Sequence, residues 1–314
     1  MATVISTKTN LRQANSKIVA TGYVAEKDLK VEKDENGVDR IVGYVVLKTS
    51  DTNSVRFGIR ASSKTKAGAD SKTYPGIQTI MEEYKSIAEN GMENADFVTV
   101  SGGTLNPYRS ANSGNEIIAF QTNFMSREKD KDREMSATMD IELFISGFVP
   151  ETRRVGDEVE ETGRLIVKGW FPTFNGIEPV ELIADEELAG AIENALEVGQ
   201  TVTFYTNIIN ERHEEVREIP VLIGKPKIEK RVTYKNELII TGCSEPYENK
   251  EDGDEGEFGT NGLPWAYDAN VIKKAVQERE NQIEADKANK TGGSNFKSNS
   301  KPSGAKHNGR TLGW

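Results

Sequence analysis

A chain of 314 residues with a formal net charge of -10, one cysteine and two histidines has room for two domains of about 100 to 150 residues and a tail. Cys243 alone, with no leading apolar run, excludes a disulfide framework and a membrane span and points to a soluble protein of the reducing cytoplasm, in a bacterial host if phage-encoded. His213 and His307 without a cysteine partner leave no zinc site or His-dependent triad, and no glycine-rich GxxxxGK phosphate loop is present.

The first predicted strand spans residues 17–24. After the polar stretch 26–40, an apolar run at 41–47 completes a long hairpin whose turn is marked by Asn36-Gly37. A third strand at 55–59 alternates apolar and other residues. Pro75 and Gly76 then introduce one helix with Ile77, Ile80, Met81, Tyr84, Ile87 and Ala88 on a single buried stripe and Gly91 as its C-cap. Strands at 97–100 and 117–124 follow, joined by the loop that holds Tyr108 and Arg109.

A charged connector at 127–137 leads to a second run of the same signals. "KIVATGYVAEKD" returns as "IELFISGFVPET", about 125 residues later, as expected for two copies of one small domain. Aligned in this way, Ile18, Ala20, Gly22 and Val24 match Leu143, Ile145, Gly147 and Val149. Tyr23 and Phe148 then project from the opposite face of their strands, available to a ligand or to a covering loop. The second copy has a hairpin arm "RLIVKGWF" with Gly163 at its turn and a helix over 186–198 with Asp185 as N-cap. Strands follow at 201–206 and 238–241, with a basic stretch at 224–237 between them, either an additional hairpin or an extended loop.

The copies occupy residues 1–126 and 138–247. Residues 248–290 hold an acidic segment and a weak amphipathic helix carrying Ile272, Ala275, Val276 and Ile283. Residues 291–314 are dominated by Gly, Ser, Asn and Lys, a composition expected to form a disordered tail.

Five strands with a helix between the third and fourth is the order of the OB-fold, a Greek-key barrel that binds its ligand on strands two and three. The expected class is therefore mainly β, as two tandem OB-folds with short helices, a C-terminal helix and a disordered tail. The tandem order, Gly22 and Gly147, and the ending "ELIITGCSEPYE" with its later "ERE" helix resemble phage and prophage single-stranded DNA-binding proteins with two OB-folds, over residues 15–285. The resemblance implies non-enzymatic, sequence-tolerant binding of single-stranded DNA in phage replication or recombination, without a cofactor.

Single strands are held by stacking and by salt-sensitive phosphate contacts. Candidates in the first copy are Tyr23, Tyr44, Arg56, Phe57, Arg60, Tyr108 and Arg109, and residues 1–75 carry 13 Lys or Arg against 8 Asp or Glu. In the second copy they are Phe148, Lys168, Trp170, Phe171, Lys225, Lys227, Lys230 and Arg231. Trp170 and Phe171 are neighbours, so one faces the core and the other the ligand side. Each of these aromatics could instead fill a barrel, and Arg56 and Arg60 could simply protect an edge strand.

The acidic segment reads as a linker or as a competitor with DNA for the basic groove. Bacterial single-stranded DNA-binding proteins end in an acidic peptide with a terminal aromatic. Here Trp314 follows a basic lead-in, so contact with DNA, or with replication or recombination proteins, stands beside a tail without function. Two other readings remain open: a tandem barrel adaptor that binds another protein, and a two-metal nuclease built from Asp and Glu.

Overall fold

The computed structural model describes residues 9–130, 132–219, 223–251 and 256–292. Of the expected tail, residues 291 and 292 belong to the C-terminal helix and residues 293–314, with Trp314, lie outside the described residues, as does part of the acidic segment.

In the first copy β1 (Ser16–Lys33), β2 (Asp39–Lys48) and β3 (Ser54–Ser62) form an antiparallel meander. The Asp34 carboxylate accepts from the N–H groups of Asn36 and Val38, both at 2.9 Å, and so closes the β1–β2 turn. The single helix expected next is broken. α1 (Tyr74–Glu83) ends at Tyr84, which is extended, and α2 (Ile87–Asn90) starts afresh. Ser86 accepts from Glu89 N–H and donates to the Glu89 carboxylate at 3.0 Å, a serine N-cap that starts the new helix.

A 3-10 turn at Met92–Asn94 leads to β4 (Phe97–Leu105). Beyond it the small hairpin of β5 (Tyr108–Arg109) and β6 (Glu116–Ile117) precedes β7 (Phe120–Gln121) and β8 (Ser126–Arg127). The strand expected over 117–124 is thus interrupted. β7 runs parallel to β3 and antiparallel to β4, and β4 pairs back to β1. The closed order β1-β2-β3-β7-β4 is that of an OB-fold.

The second copy repeats it. β9 (Ser136–Val155), β10 (Glu158–Thr173) and β11 (Gly176–Ala184) form the meander, and α3 (Glu186–Ala195) follows. β12 (Thr201–Ile219) and β13 (Lys227–Cys243) complete the barrel, with β13 parallel to β11 at Ile183↔Ile239 and β12 paired to β9. Gly163, expected at the hairpin turn, instead sits in a bulge of β10 with φ +80°, and the β9–β10 turn lies at Gly156-Asp157. Asp185 precedes α3, but its carboxylate accepts from Arg164 Nε at 3.2 Å rather than from the helix.

Strand register relates the copies by 121 residues at β1 and β9. Tyr23 lies opposite Phe97 at the start of β4, as Phe144 lies opposite Thr201 at the start of β12. Ala25 and Ser146 form matching bulges. Gly22 therefore corresponds to Leu143, not to Gly147. The slip is four residues, an even number, so a period-two pattern aligns almost as well at either offset. The difference is physical. A Cβ on Gly22 would stand 2.1 Å from Lys48 O, whereas one on Gly147 would meet nothing within 4 Å.

β1 and β9 also pair with each other, from Ser16↔Ile141 to Thr21↔Ser136, which merges both barrels into one 11-stranded sheet. The β2–β3 turn adds a second joint: Asn53 Nδ2 donates to Ile208 O at 2.9 Å, and Asn210 N–H donates to the Asn53 carbonyl oxygen of the side chain at 2.5 Å. α4 (Ala269–Gly292) packs beside β11 through buried Ile272 and Ala275. Its Arg279 pairs with Glu178 of the second barrel and Glu116 of the β5–β6 hairpin.

Candidate nucleic-acid interface

The first barrel presents an outward face built from alternate residues of its meander. Val45, Phe57 and Ile59 point inward and are buried, so Val42, Tyr44 and Val46 on β2 and Arg56, Gly58 and Arg60 on β3 point outward. Register sets three rows: Glu26, Val46 and Arg56; Asp28, Tyr44, Gly58 and Gln121; and Lys30, Val42 and Arg60.

Arg56 lies over the Tyr44 ring, its guanidinium carbon 3.5 Å from the centroid. Tyr44 donates its hydroxyl to Glu26 at 2.5 Å, and that hydrogen bond raises the phenol above its ordinary range. The ring expected as an open stacking surface is therefore covered, and the guanidinium plane is what faces outward. Arg56 and Arg60 are both exposed, and neither has an ion-pair partner among the described residues.

The same face of the second barrel is different in kind. Register places Glu181 where the first barrel has Arg56, Ile183 where it has Gly58, and Asp185 where it has Arg60. Lys168, at the position of Val46, is tied to Glu181 at 3.4 Å. Trp170, at the position of Lys48, is half-buried beside Pro179 and Phe144. The cations that a phosphate chain needs on a barrel face are concentrated in the first barrel.

Six expected residues are placed elsewhere. Phe57 is fully buried and Phe171 is 1% exposed, so both are core, and of the Trp170–Phe171 pair it is Trp170 that faces outward. Phe148 pairs with buried Val167 and packs against the core. Tyr23 stacks in a tilted pair on Phe97, with centroids 4.8 Å apart. Tyr108, 43% exposed, and Arg109 stand on the β5–β6 hairpin, where Arg109 faces Glu116 at 3.8 Å and Glu116 is bonded to Arg279. That hairpin is thereby anchored to α4 and not to the β3 face.

The basic stretch is a hairpin. β12 and β13 continue past the barrel as a two-stranded arm, paired from Glu211↔Lys235 to Ile219↔Lys227. Lys227, Lys230 and Arg231 lie on its exposed strand and Lys225 beside its tip. Lys230 is bonded to Glu214 at 2.9 Å, which holds that carboxyl below its usual range. One side of the arm gathers Val216, Ile228 and Tyr234, 53%, 60% and 69% exposed. Nothing in the sequence singles out Tyr234, because the basic residues around it mark the segment as a solvated loop.

The arm roots beside the basic face. Thr52 donates its hydroxyl to Glu211 at 3.1 Å, and Arg212 N–H donates to Thr52 O at 3.3 Å. Moving along β3 from Arg60 through Arg56 to Ser54 leads to this joint and onto the arm. Among the described residues no group of three His, Cys, Asp or Glu is placed to hold a metal ion, and no helix is long and apolar enough to cross a membrane.

The fold and face thus define a tandem OB-fold protein whose two barrels share one sheet but carry unlike outer surfaces. The YorF family model matches residues 15–289, and the chain belongs to the YorF family. Two solved structures of the single-stranded DNA binding protein from Thermus aquaticus are similar at 10% identity. A deletion mutant gives a TM-score of 0.46 over 77% of this chain and 99% of its own, and the wild type gives 0.42 over 78% and 98%. No curated protein matches the sequence.

Proposed function

We propose that the protein is a non-enzymatic, sequence-tolerant single-stranded DNA-binding protein that coats DNA during phage replication or recombination. The observation that carries this reading is the pair Arg56 and Arg60. Two exposed arginines without carboxylate partners among the described residues flank Gly58 on the OB-fold's ligand strand, where the second barrel has Glu181 and Asp185. Exposed guanidinium groups supply phosphate contacts and planes on which bases stack. The strand would run along β3, reach the arm at Thr52 and Glu211, and meet Lys230 and Tyr234 on one side of it or Arg231 on the other. Trp170 and Lys168 offer a second, weaker contact.

Titration of labelled oligo(dT) with the full chain tests the reading. Binding that weakens as salt rises supports it, and no binding at 50 mM salt, about the low end of ordinary assays, overturns it. The adaptor reading keeps one specific support, the exposed Val216, Ile228 and Tyr234 that share one side of the arm with Lys230 and Glu214, since apolar groups rimmed by polar ones mark protein interfaces. Arm substitutions that abolish capture of a protein partner while leaving oligo(dT) affinity intact would favour it.

A further inference from the structure

A cleft of about 240 Å3 opens beside β7 and β4, lined among others by Gly102, Thr104, Gln121, Asn123 and Phe124. It continues the central row of the basic face, because Gln121 stands in register with Gly58 on one side and Thr104 on the other. Gly58 leaves the floor between Tyr44 and Gln121 without a side chain. A Cβ there would lie 3.7 Å from Gln121 Cγ.

Phe124 is 60% exposed, and the turn around it is fixed. Thr122, 4% exposed, donates its hydroxyl to Phe124 O at 2.9 Å and accepts from Phe124 N–H at 3.2 Å. In the orientation that satisfies its amide, Asn123 donates to Arg60 O at 3.2 Å and to Thr122 O at 3.1 Å, which ties the turn to β3. A lone exposed apolar side chain is ordinary. A phenyl ring held in water by a hydrogen-bonded turn, beside a polar cleft and an unpaired arginine, is preorganised to receive a flat partner. The Gln121 amide makes no hydrogen bond among the described residues, so its two donors and its acceptor are free to meet a ligand edge.

We propose that this cleft is a base-binding subsite of the first barrel: one nucleobase of the bound strand stacks on Phe124 while the Gln121 amide hydrogen-bonds its edge. Binding is then base-selective at that nucleotide, although the phosphate contacts along β3 are indifferent to sequence. The inference rests on the single-strand binding proposed above. Register puts Ile239 at the position of Gln121 in the second barrel, so the subsite belongs to the first barrel alone.

Dissociation constants for oligo(dA), oligo(dC) and oligo(dT) of equal length, measured at one salt concentration for wild type, Gln121→Ala, Phe124→Ala and Phe124→Trp, test it. Wild type discriminates among the homopolymers. Gln121→Ala compresses that discrimination by about tenfold, the scale of one bidentate amide contact to a base. Phe124→Ala weakens all three by about tenfold through lost stacking, with the salt slope unchanged, and Phe124→Trp restores binding. Binding with equal preferences in wild type and Gln121→Ala overturns the subsite and leaves strand binding standing. Phe124→Ala within twofold of wild type does the same. Failure of wild type to bind any homopolymer overturns both.

Discussion

Glu142→Gln should cost the protein about 3 to 5 kcal/mol of unfolding free energy, the range for breaking a buried ion pair from one side. Glu142 has a side chain with no solvent exposure and is ion-paired to Arg12, itself 14% exposed. Its second oxygen accepts from Asn15 N–H and Asn15 Nδ2, both at 3.1 Å. Arg12 donates to Tyr267 Oη and to Trp265 O, each at 2.9 Å, and its guanidinium stands 4.2 Å from the Tyr267 ring centroid. Burial pushes the Tyr267 phenol well above its ordinary range. One carboxylate therefore joins the N-terminal segment, β9 and the segment entering α4.

Glutamine preserves volume, so no cavity contributes to the loss. What goes is the negative charge of the ion pair, and Arg12 is left buried without its counter-charge. Urea unfolding followed by tryptophan fluorescence, with Trp265 next to the latch, measures the change. The double variant Arg12→Met with Glu142→Met should lose less than the sum of the two single changes, since it leaves no orphaned charge. A Glu142→Gln variant within about 1 kcal/mol of wild type refutes the latch.

Three further outcomes are expected. Gly22→Ala destabilises by about 1 to 3 kcal/mol or more, because the new methyl meets backbone at Lys48 O, while Gly147→Ala, with open space around its Cβ, leaves the melting temperature unchanged. Equal effects at the two glycines would contradict the 121-residue register. Phe57→Ala costs about 3 to 5 kcal/mol in chemical denaturation, as expected for a fully buried ring. Ser86→Ala loses about 1 kcal/mol with its cap, read as a lower urea midpoint at constant slope, because Ser86 is what starts α2 after the break at Tyr84.

The two barrels were legible in the sequence because strand alternation and the strand-helix-strand order repeat, and the residues expected in the first strand and in the helix stripe, Ile18, Val24, Ile77 and Ile80, are buried. The break at Tyr84 is hidden in the sequence because Ile87 and Ala88 continue the helical period, and the Ser86 N-cap on Glu89 N–H is local chemistry that periodicity does not register. The arm was ambiguous because both its faces are exposed, which removes the alternation that identifies a strand. The spacing of Arg56 and Arg60 around Gly58 puts them on one face, and both are exposed there. Phe57 between them was mistaken for a ligand residue because an aromatic among cations fits either side of a strand. Phe124 and Gln121 lay in what read as one continuous strand, and only the parallel pairing of β7 with β3, a contact 63 residues apart at Gly58 and Gln121, brings them to the basic face.

The account turns on Arg56 and Arg60 as phosphate contacts, and the salt dependence of oligo(dT) affinity in wild type and in the Arg56→Ala, Arg60→Ala double variant tests it most directly. For single strands each contact contributes about 0.7 to the slope of log K against log salt, so losing both lowers the slope by about 1.4, which is about a sevenfold smaller loss of affinity between 50 and 200 mM salt. Binding by wild type with that reduction in slope in the variant is the predicted result. The same slope in both proteins, or no binding by wild type at low salt, would contradict it.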